Sequence, residues 1–201
     1  MSKRMLMIPA LLVLAVMVVG GCSKAPVEQQ NTTVAALDGA KQANAELYAP
    51  QSWLEAQEAM KQAQAELETQ NGKFSLLRSY GTADELLAQA QQLADKAKAD
   101  AVAAKETMRQ ETQAAFEAVR TQLMSTQELL ATAPRGKDTK AEIESMQQEL
   151  AGLTTTLETA GELIRGEHFQ RARAQIDQVG TQVSAMRTDL EAAIAKVQTR
   201  K

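Results

Sequence analysis

Cysteine, histidine and aromatic residues are scarce in this 201-residue chain, which has one Cys, one His and 3% aromatics. A single thiol, that of Cys22, cannot form a disulfide within the chain. The only histidine, His168, supplies neither the ligand set of a zinc site nor the base of a convincing Ser or Cys catalytic arrangement. No Gly-rich phosphate loop is present. These absences predict no metal, no cofactor, no catalytic residue and no enzymatic activity.

A long uncharged run occurs at the start of the chain. Lys3 and Arg4 precede this run, which ends with Gly21 directly before Cys22. A positive start, an apolar middle and small residues at the end are the plan of a secretory signal peptide. The alternative is an uncleaved membrane helix. It fits less well, because a span needs about 20 apolar residues and this run is short and contains Pro9.

The residues that lead into Cys22 carry a more specific resemblance. The sequence Val-Val-Gly-Gly-Cys over residues 18–22 resembles the lipobox of bacterial lipoproteins. The resemblance implies that residues 1–21 are removed as a signal peptide and that the Cys22 sulfur receives a diacylglycerol. It also implies a fatty acid, such as palmitate, on the new amino terminus. Several acyl chains together anchor a protein stably to a bilayer.

The residue after the cysteine bears on localisation. In Gram-negative lipoproteins an aspartate at this position tends to retain the protein at the inner membrane, and here the position is Ser23. The resemblance therefore implies a lipid-anchored protein of the outer membrane that faces the periplasm.

The composition of the remaining 180 residues predicts an all-α fold. Without Lys3 and Arg4 the chain has 20 basic and 25 acidic residues, a net charge of −5, which argues against nucleic acid as a partner. Ala, Gln, Glu, Lys and Leu dominate, as they do in long helices and coiled coils. Such a composition favours a narrow core strip over a globular centre.

The first part of the body is predicted to be a tether followed by a helical hairpin. Residues 22–33 are polar, contain Pro26 and lack periodicity, which predicts a flexible tether. Residues 34–133 are predicted to form the hairpin, whose second arm is a long helix over 82–132 without an internal Gly or Pro. Its apolar and small residues recur at steps of four and three, and form one seam: Leu86, Ala90, Leu93, Ala97, Ala101, Ala104, Met108, Thr112, Ala115, Val119, Leu123, Thr126 and Leu130.

Residues 134–201 are predicted to form a second helical hairpin. A heptad seam from Ile143 to Ile164 precedes a short turn at Gly166, and a second seam continues from Phe169. A tight turn between two helices makes them antiparallel neighbours. We expect both hairpins to fold back along the long helix, which gives an elongated, coiled-coil-like antiparallel bundle.

Three further features resemble a known group of proteins. The chain has Tyr48-Ala49-Pro50 at the start of a helix, the turn Gly72-Lys73-Phe74 and an Ala-rich second helix from Leu86 to Ala97. Over residues 38–104 this pattern resembles a family of uncharacterised bacterial helical lipoproteins, a domain of unknown function. The resemblance implies a periplasmic helical lipoprotein and brings no activity with it.

The end of the chain, Arg200-Lys201, resembles that of the murein lipoproteins, in which the final lysine is joined to the cell wall. The resemblance implies a similar attachment at Lys201. The alternative, which we favour, is that basic residues suit the C-terminus of a helix because they complement its dipole.

Together these features predict a structural spacer or adaptor in the cell envelope. Its expected partners are the membrane, through lipid on Cys22, and an envelope protein or peptidoglycan. Helical faces outside the bundle core would also allow self-association. The alternative is a periplasmic chaperone or binding module that grips a partner between helical arms, which requires an exposed apolar groove.

Overall fold

The computed structural model describes residues 24–134 and 140–198, and within these ranges the chain is helical and contains no strand. The predicted all-α helical bundle is confirmed. The helices are α1 (Val27–Gln42), α2 (Ala45–Tyr48), α3 (Pro50–Gly72), a 3₁₀ helix (Ser75–Leu77), α4 (Gly81–Thr132), α5 (Lys140–Arg165) and α6 (Phe169–Gln198).

The chain forms two compact units, and the division between them falls within α4. Unit 1 ends at Ala104 and unit 2 begins at Lys105. The sequence predicts a boundary between its two hairpins at residues 133 and 134, where Pro134 interrupts the helical pattern, and it also predicts that both hairpins pack along the long helix. In the structure the first half of α4 belongs to the core of α1 and α3, and the second half to that of α5 and α6.

Helix α1 corrects the predicted tether of residues 22–33. Residues 24–26 are not helical, but α1 begins at Val27, so the last seven residues of the predicted tether are helical. Thr33 is completely buried, and its Oγ1 donates hydrogen bonds to the backbone oxygens of Gln29 (2.9 Å) and Leu87 (3.1 Å). The prediction failed because α1 lacks a strong apolar stripe. Its packing depends on small and polar residues.

Helix α1 runs parallel to the start of α4, and α3 runs antiparallel to it. Thr33 of α1 contacts Leu87, and further along α1 Ala40 shares a core cluster with Ala97 and Ala101. A short reversal then leads into α3. It has Asn44 in the left-handed conformation (φ 57°) and Pro50 at the start of α3, where proline is favoured.

The predicted seam of the long helix is confirmed, since none of its thirteen side chains is classed as exposed. The sequence missed Ala83, Leu87 and Ala94, which are fully buried on a neighbouring line of α4. Two helices, α1 and α3, cover this first half of α4. The buried face is therefore wider than the seam that a single partner helix would need.

In unit 2, α5 and α6 form the predicted hairpin. The turn is a Schellman motif: the His168 N–H donates to the Leu163 oxygen (2.8 Å) and the Glu167 N–H to the Ile164 oxygen (3.0 Å). The left-handed residue is Glu167 (φ 59°), not Gly166. The hairpin core includes Leu150, Leu157, Ile176 and Val183, and Leu123 and Leu130 of α4 belong to the same cluster.

Candidate functional site

Both residues to which the sequence assigns a modification lie outside the described part of the chain. Cys22 precedes the first described residue, Lys24, by two positions, and Lys201 follows the last described residue, Gln198, by three. Lipidation of Cys22 and cell-wall attachment of Lys201 therefore stay predictions.

The described residues do not gather the groups that a metal site requires. Within 24–134 and 140–198, no three or more His, Cys, Asp and Glu side chains are grouped so that they could hold an ion. His168 is exposed in the turn between α5 and α6. None of the helices within these two ranges is both long and apolar enough to span a membrane.

A Ser-Lys-Asp group joins α3 to α4, and a serine beside a lysine is one arrangement of an activated nucleophile. Ser52 Oγ donates to Asp100 Oδ2 (2.5 Å), and Lys96 Nζ donates to Ser52 Oγ (3.0 Å) and Asp100 Oδ2 (2.7 Å). The hydrogen bond to Asp100 raises the pKa of Lys96, and the hydrogen bonds from Lys96 and Ser52 lower the pKa of Asp100.

Both charged members of this group therefore keep their charge at neutral pH. A protonated lysine has no lone pair with which to take the proton of Ser52, so this geometry does not activate the hydroxyl. The group acts as a polar link between two helices. It also explains why Ser52, a polar residue in the first turn of α3, is buried.

The described chain presents an apolar surface at one end of unit 1. The loop over residues 73–80, which we call the tip loop, connects α3 to α4. Phe74, Leu76 and Leu77 are 70%, 76% and 71% exposed. Leu76, Leu77 and Tyr80 follow the turn at Gly72-Lys73-Phe74, where apolar side chains could close the end of the hairpin, but only Tyr80 is buried and joins the core.

Hydrogen bonds hold the tip loop in this conformation. The Arg78 guanidinium donates from Nε to the Lys73 oxygen and from Nη2 to the Asn71 oxygen, both at 3.0 Å. The Tyr80 hydroxyl donates to Asn71 Oδ1 (2.5 Å), and the Ser79 N–H donates to Gln70 Oε1 (3.0 Å). The exposed apolar side chains therefore project from a loop whose conformation is held by hydrogen bonds.

The start of α1 lies at the same end of unit 1 as the tip loop. Thr33 and Leu87 are in contact, and each lies six residues after the start of its helix, Val27 or Gly81. Because the two helices are parallel, both starts lie about 9 Å from this contact, in the same direction. Val27 is itself 59% exposed and adds apolar surface at this end.

Comparison with known proteins adds no relative from which a role could be transferred: no protein-family model, no curated protein and no solved structure matches this chain. The resemblance to the helical lipoproteins stays a prediction from the residues quoted above.

Proposed function

We propose that the chain is a lipid-anchored helical lipoprotein of the outer membrane, held on its periplasmic face through Cys22, where it acts as a spacer or adaptor in the cell envelope. The observation that carries the proposal is the uncharged run over residues 5–21, which follows Lys3 and Arg4 and ends with Gly20-Gly21 directly before Cys22. A signal of this plan delivers a chain for export, and acylation of the cysteine holds it at a bilayer.

The helical architecture of the described residues supports a role as a spacer or adaptor. Helix α4 is 52 residues long, and filled seams join its two halves to α1 and α3 in unit 1 and to α5 and α6 in unit 2.

Metabolic labelling with an alkyne analogue of palmitate tests the anchor. The proposal predicts label on the wild-type chain, none on the Cys22→Ser variant, and loss of that variant from the outer-membrane fraction. Thr33→Ser is the control variant: it also introduces a serine, at a buried position of α1, but it leaves Cys22 in place and should therefore be labelled normally. Equal labelling of Cys22→Ser and wild type would refute lipidation at this residue.

Crosslinking in intact cells tests the adaptor role. The intact lipoprotein should capture a defined envelope protein or peptidoglycan, and muramidase digestion followed by mass spectrometry should show whether Lys201 carries a muropeptide. Capture of a varied set of unfolded chains would instead support the chaperone.

One observation favours this second candidate enough to keep it. An apolar hollow lies in unit 2, where Ile143, Met146, Leu190 and Ile194 line it together with Pro134. The hollow has a volume of about 20 Å³, room for about one water molecule, so a chaperone would have to open it before an apolar client segment could pack against its walls. If the chain suppresses aggregation of a reduced model protein and Met146→Glu abolishes this, the chaperone is the better interpretation.

A further inference from the structure

The tip loop combines apolar exposure with positive charge. Phe74, Leu76 and Leu77 are flanked by Lys73 and Arg78, and the chain has no acidic residue from position 69 to position 83. It is the longest stretch without an acidic residue after position 27. Apolar side chains beside cations match the interface of an anionic bilayer, where acyl chains lie below negatively charged phosphates.

The exposure is specific to this loop and is not a general property of aromatic turns in the protein. Phe169, the aromatic residue at the turn of the second hairpin, begins α6 and is only 2% exposed. Phe74 lies in extended backbone after α3 and is 70% exposed, while Arg78 donates hydrogen bonds to the backbone oxygens of Lys73 and Asn71. A bonded loop loses little conformational entropy when its side chains enter a membrane.

The position of the anchor places this loop at the membrane. Cys22 lies five residues before Val27, so even a fully extended chain puts its Cα no more than about 18 Å from the start of α1. Helix α1 has 16 residues, so the opposite end of unit 1 is more than about 20 Å further along the helix. A lipid on Cys22 therefore reaches the bilayer from the tip-loop end and not from the opposite end.

We propose that the tip loop is a membrane-docking surface, in which Phe74, Leu76 and Leu77 enter the interface of an anionic phospholipid bilayer while Lys73 binds lipid phosphates. The orientation rests on the proposed lipidation of Cys22, whereas the loop's affinity for lipid rests on described residues alone. Docking gives unit 1 a second attachment point beside the acyl chains and sets which end of it faces the membrane.

Vesicle binding of an unacylated chain tests the loop independently of the anchor. Residues 22–201 with Cys22→Ser keep every described residue. This protein should sediment with vesicles of phosphatidylethanolamine and phosphatidylglycerol, and less with neutral phosphatidylcholine vesicles. Leu76→Ser/Leu77→Ser should lower the partition coefficient by on the order of 100-fold, because each leucine contributes about one factor of ten. Lys73→Gln should lower it about fivefold on the anionic vesicles alone.

A matched control removes two other exposed leucines. Leu47 and Leu54 are 50% and 60% exposed and lie at the opposite end of unit 1. Leu47→Ser/Leu54→Ser should leave the partition coefficient within about twofold of the parent. Equal losses in both double variants would overturn the proposal. So would a parent that binds no vesicles and instead forms a concentration-dependent dimer that Leu76→Ser/Leu77→Ser abolishes.

A depth measurement on the acylated protein tests the orientation. The Trp53→Phe background removes the only native tryptophan. Adding Phe74→Trp should give fluorescence that brominated lipids quench in proteoliposomes, whereas adding Leu54→Trp should give fluorescence that they do not quench. Equal quenching at both positions would overturn the docked orientation. If labelling shows no lipid on Cys22 but the unacylated chain still binds vesicles through the tip loop, the anchor fails and the docking surface stands.

Discussion

At the scale of single residues, two threonines in the seam of α4 differ in their hydrogen bonding. Thr112 and Thr126 both lie in the predicted seam, where a helix tolerates a buried threonine if its hydroxyl bonds to the helix backbone. Thr126 does so, with its Oγ1 donating to the Gln122 oxygen at 2.9 Å. Thr112 does not, since its Oγ1 is buried and has no hydrogen-bond partner. A buried hydroxyl without a partner costs stability.

We therefore expect Thr112→Val to stabilise the protein by about 1 kcal/mol, because valine has the same shape and no hydroxyl to leave unpaired. Thr126→Val removes a hydroxyl that has a partner and should change the free energy of unfolding by about zero. Urea unfolding of both variants measures the difference. A lower stability of Thr112→Val than of Thr126→Val would contradict the assignment.

A surface ion pair on α4 offers a second test at this scale. Arg109 donates to both carboxylate oxygens of Glu106 (2.7 and 2.8 Å), and Gln110 adds a third hydrogen bond (2.7 Å). These bonds, with that from Arg109 the largest cause, lower the pKa of Glu106 from 4.5 to about 2. The charged form is favoured in the folded chain, so the contribution to stability is present above pH 4.5 and is lost as the pH falls towards 2.

Arg109→Gln should raise the pKa of Glu106 towards its ordinary value and remove this part of the acid dependence. Gln110→Ala should raise it less, because Gln110 is the smaller cause. The chemical shift of the Glu106 carboxyl carbon, followed by NMR between pH 7 and about 2, measures both effects. A larger rise in Gln110→Ala than in Arg109→Gln would show that the guanidinium is not the main cause.

At the scale of helices, the glycines of unit 2 have different roles that the sequence does not distinguish. Gly152 lies within α5, and a methyl group added there would meet no atom within 4 Å. Gly180 lies within α6, and the same methyl would be 3.0 Å from Val119 Cγ2 of α4. The first glycine only weakens its helix, whereas the second allows α6 to approach α4 closely.

Gly152→Ala should therefore stabilise the protein by about 1 kcal/mol through helix propensity. Gly180→Ala has the same gain in propensity, but Val119 must shift to make room, so its net gain should be smaller or negative. Thermal unfolding of the two variants, followed by circular dichroism, compares them directly. A larger gain in stability from Gly180→Ala than from Gly152→Ala would mean that α4 and α6 are packed loosely enough to accept a methyl group.

The helices themselves were predicted well, and their edges less well. The seams of α3, α5 and α6 follow steps of three and four, and their described residues are buried or half-buried as expected. The start of α1 and the extra buried line of α4 were missed. Both features arise because α1 and α3 together cover the first half of α4. The periodicity of one helix does not show how many helices will pack against it.

At the scale of the whole molecule, the proposed anchor leads to a prediction about localisation. Ser23 follows Cys22, and in Gram-negative lipoproteins an aspartate at that position tends to retain the protein at the inner membrane. Ser23→Asp should therefore move the protein from the outer-membrane to the inner-membrane fraction without loss of acylation. Asparagine has nearly the same shape as aspartate but no charge, so Ser23→Asn should leave the protein at the outer membrane. Sucrose-gradient fractionation distinguishes the two membranes.

The amount of chain between anchor and fold also matters at this scale. The sequence predicts a flexible tether of twelve residues, which would leave the orientation at the membrane open. Helix α1 begins at Val27, so only four residues separate it from Cys22. A short connection limits how far unit 1 can move away from the membrane and how freely it can rotate against it. The proposed orientation, with the tip loop at the membrane, is therefore testable.

By itself, the sequence determined that the chain is all-helical and which faces of α3 to α6 form seams, because helix period, Gly, Pro and charge act locally along the chain. It also carried the whole argument for lipidation, which the described residues do not reach. Only the tertiary structure decided that α1 begins at Val27, that the compact units divide within α4, and that Phe74, Leu76 and Leu77 face outward. These features depend on contacts such as Thr33 with Leu87, which join residues far apart in the chain.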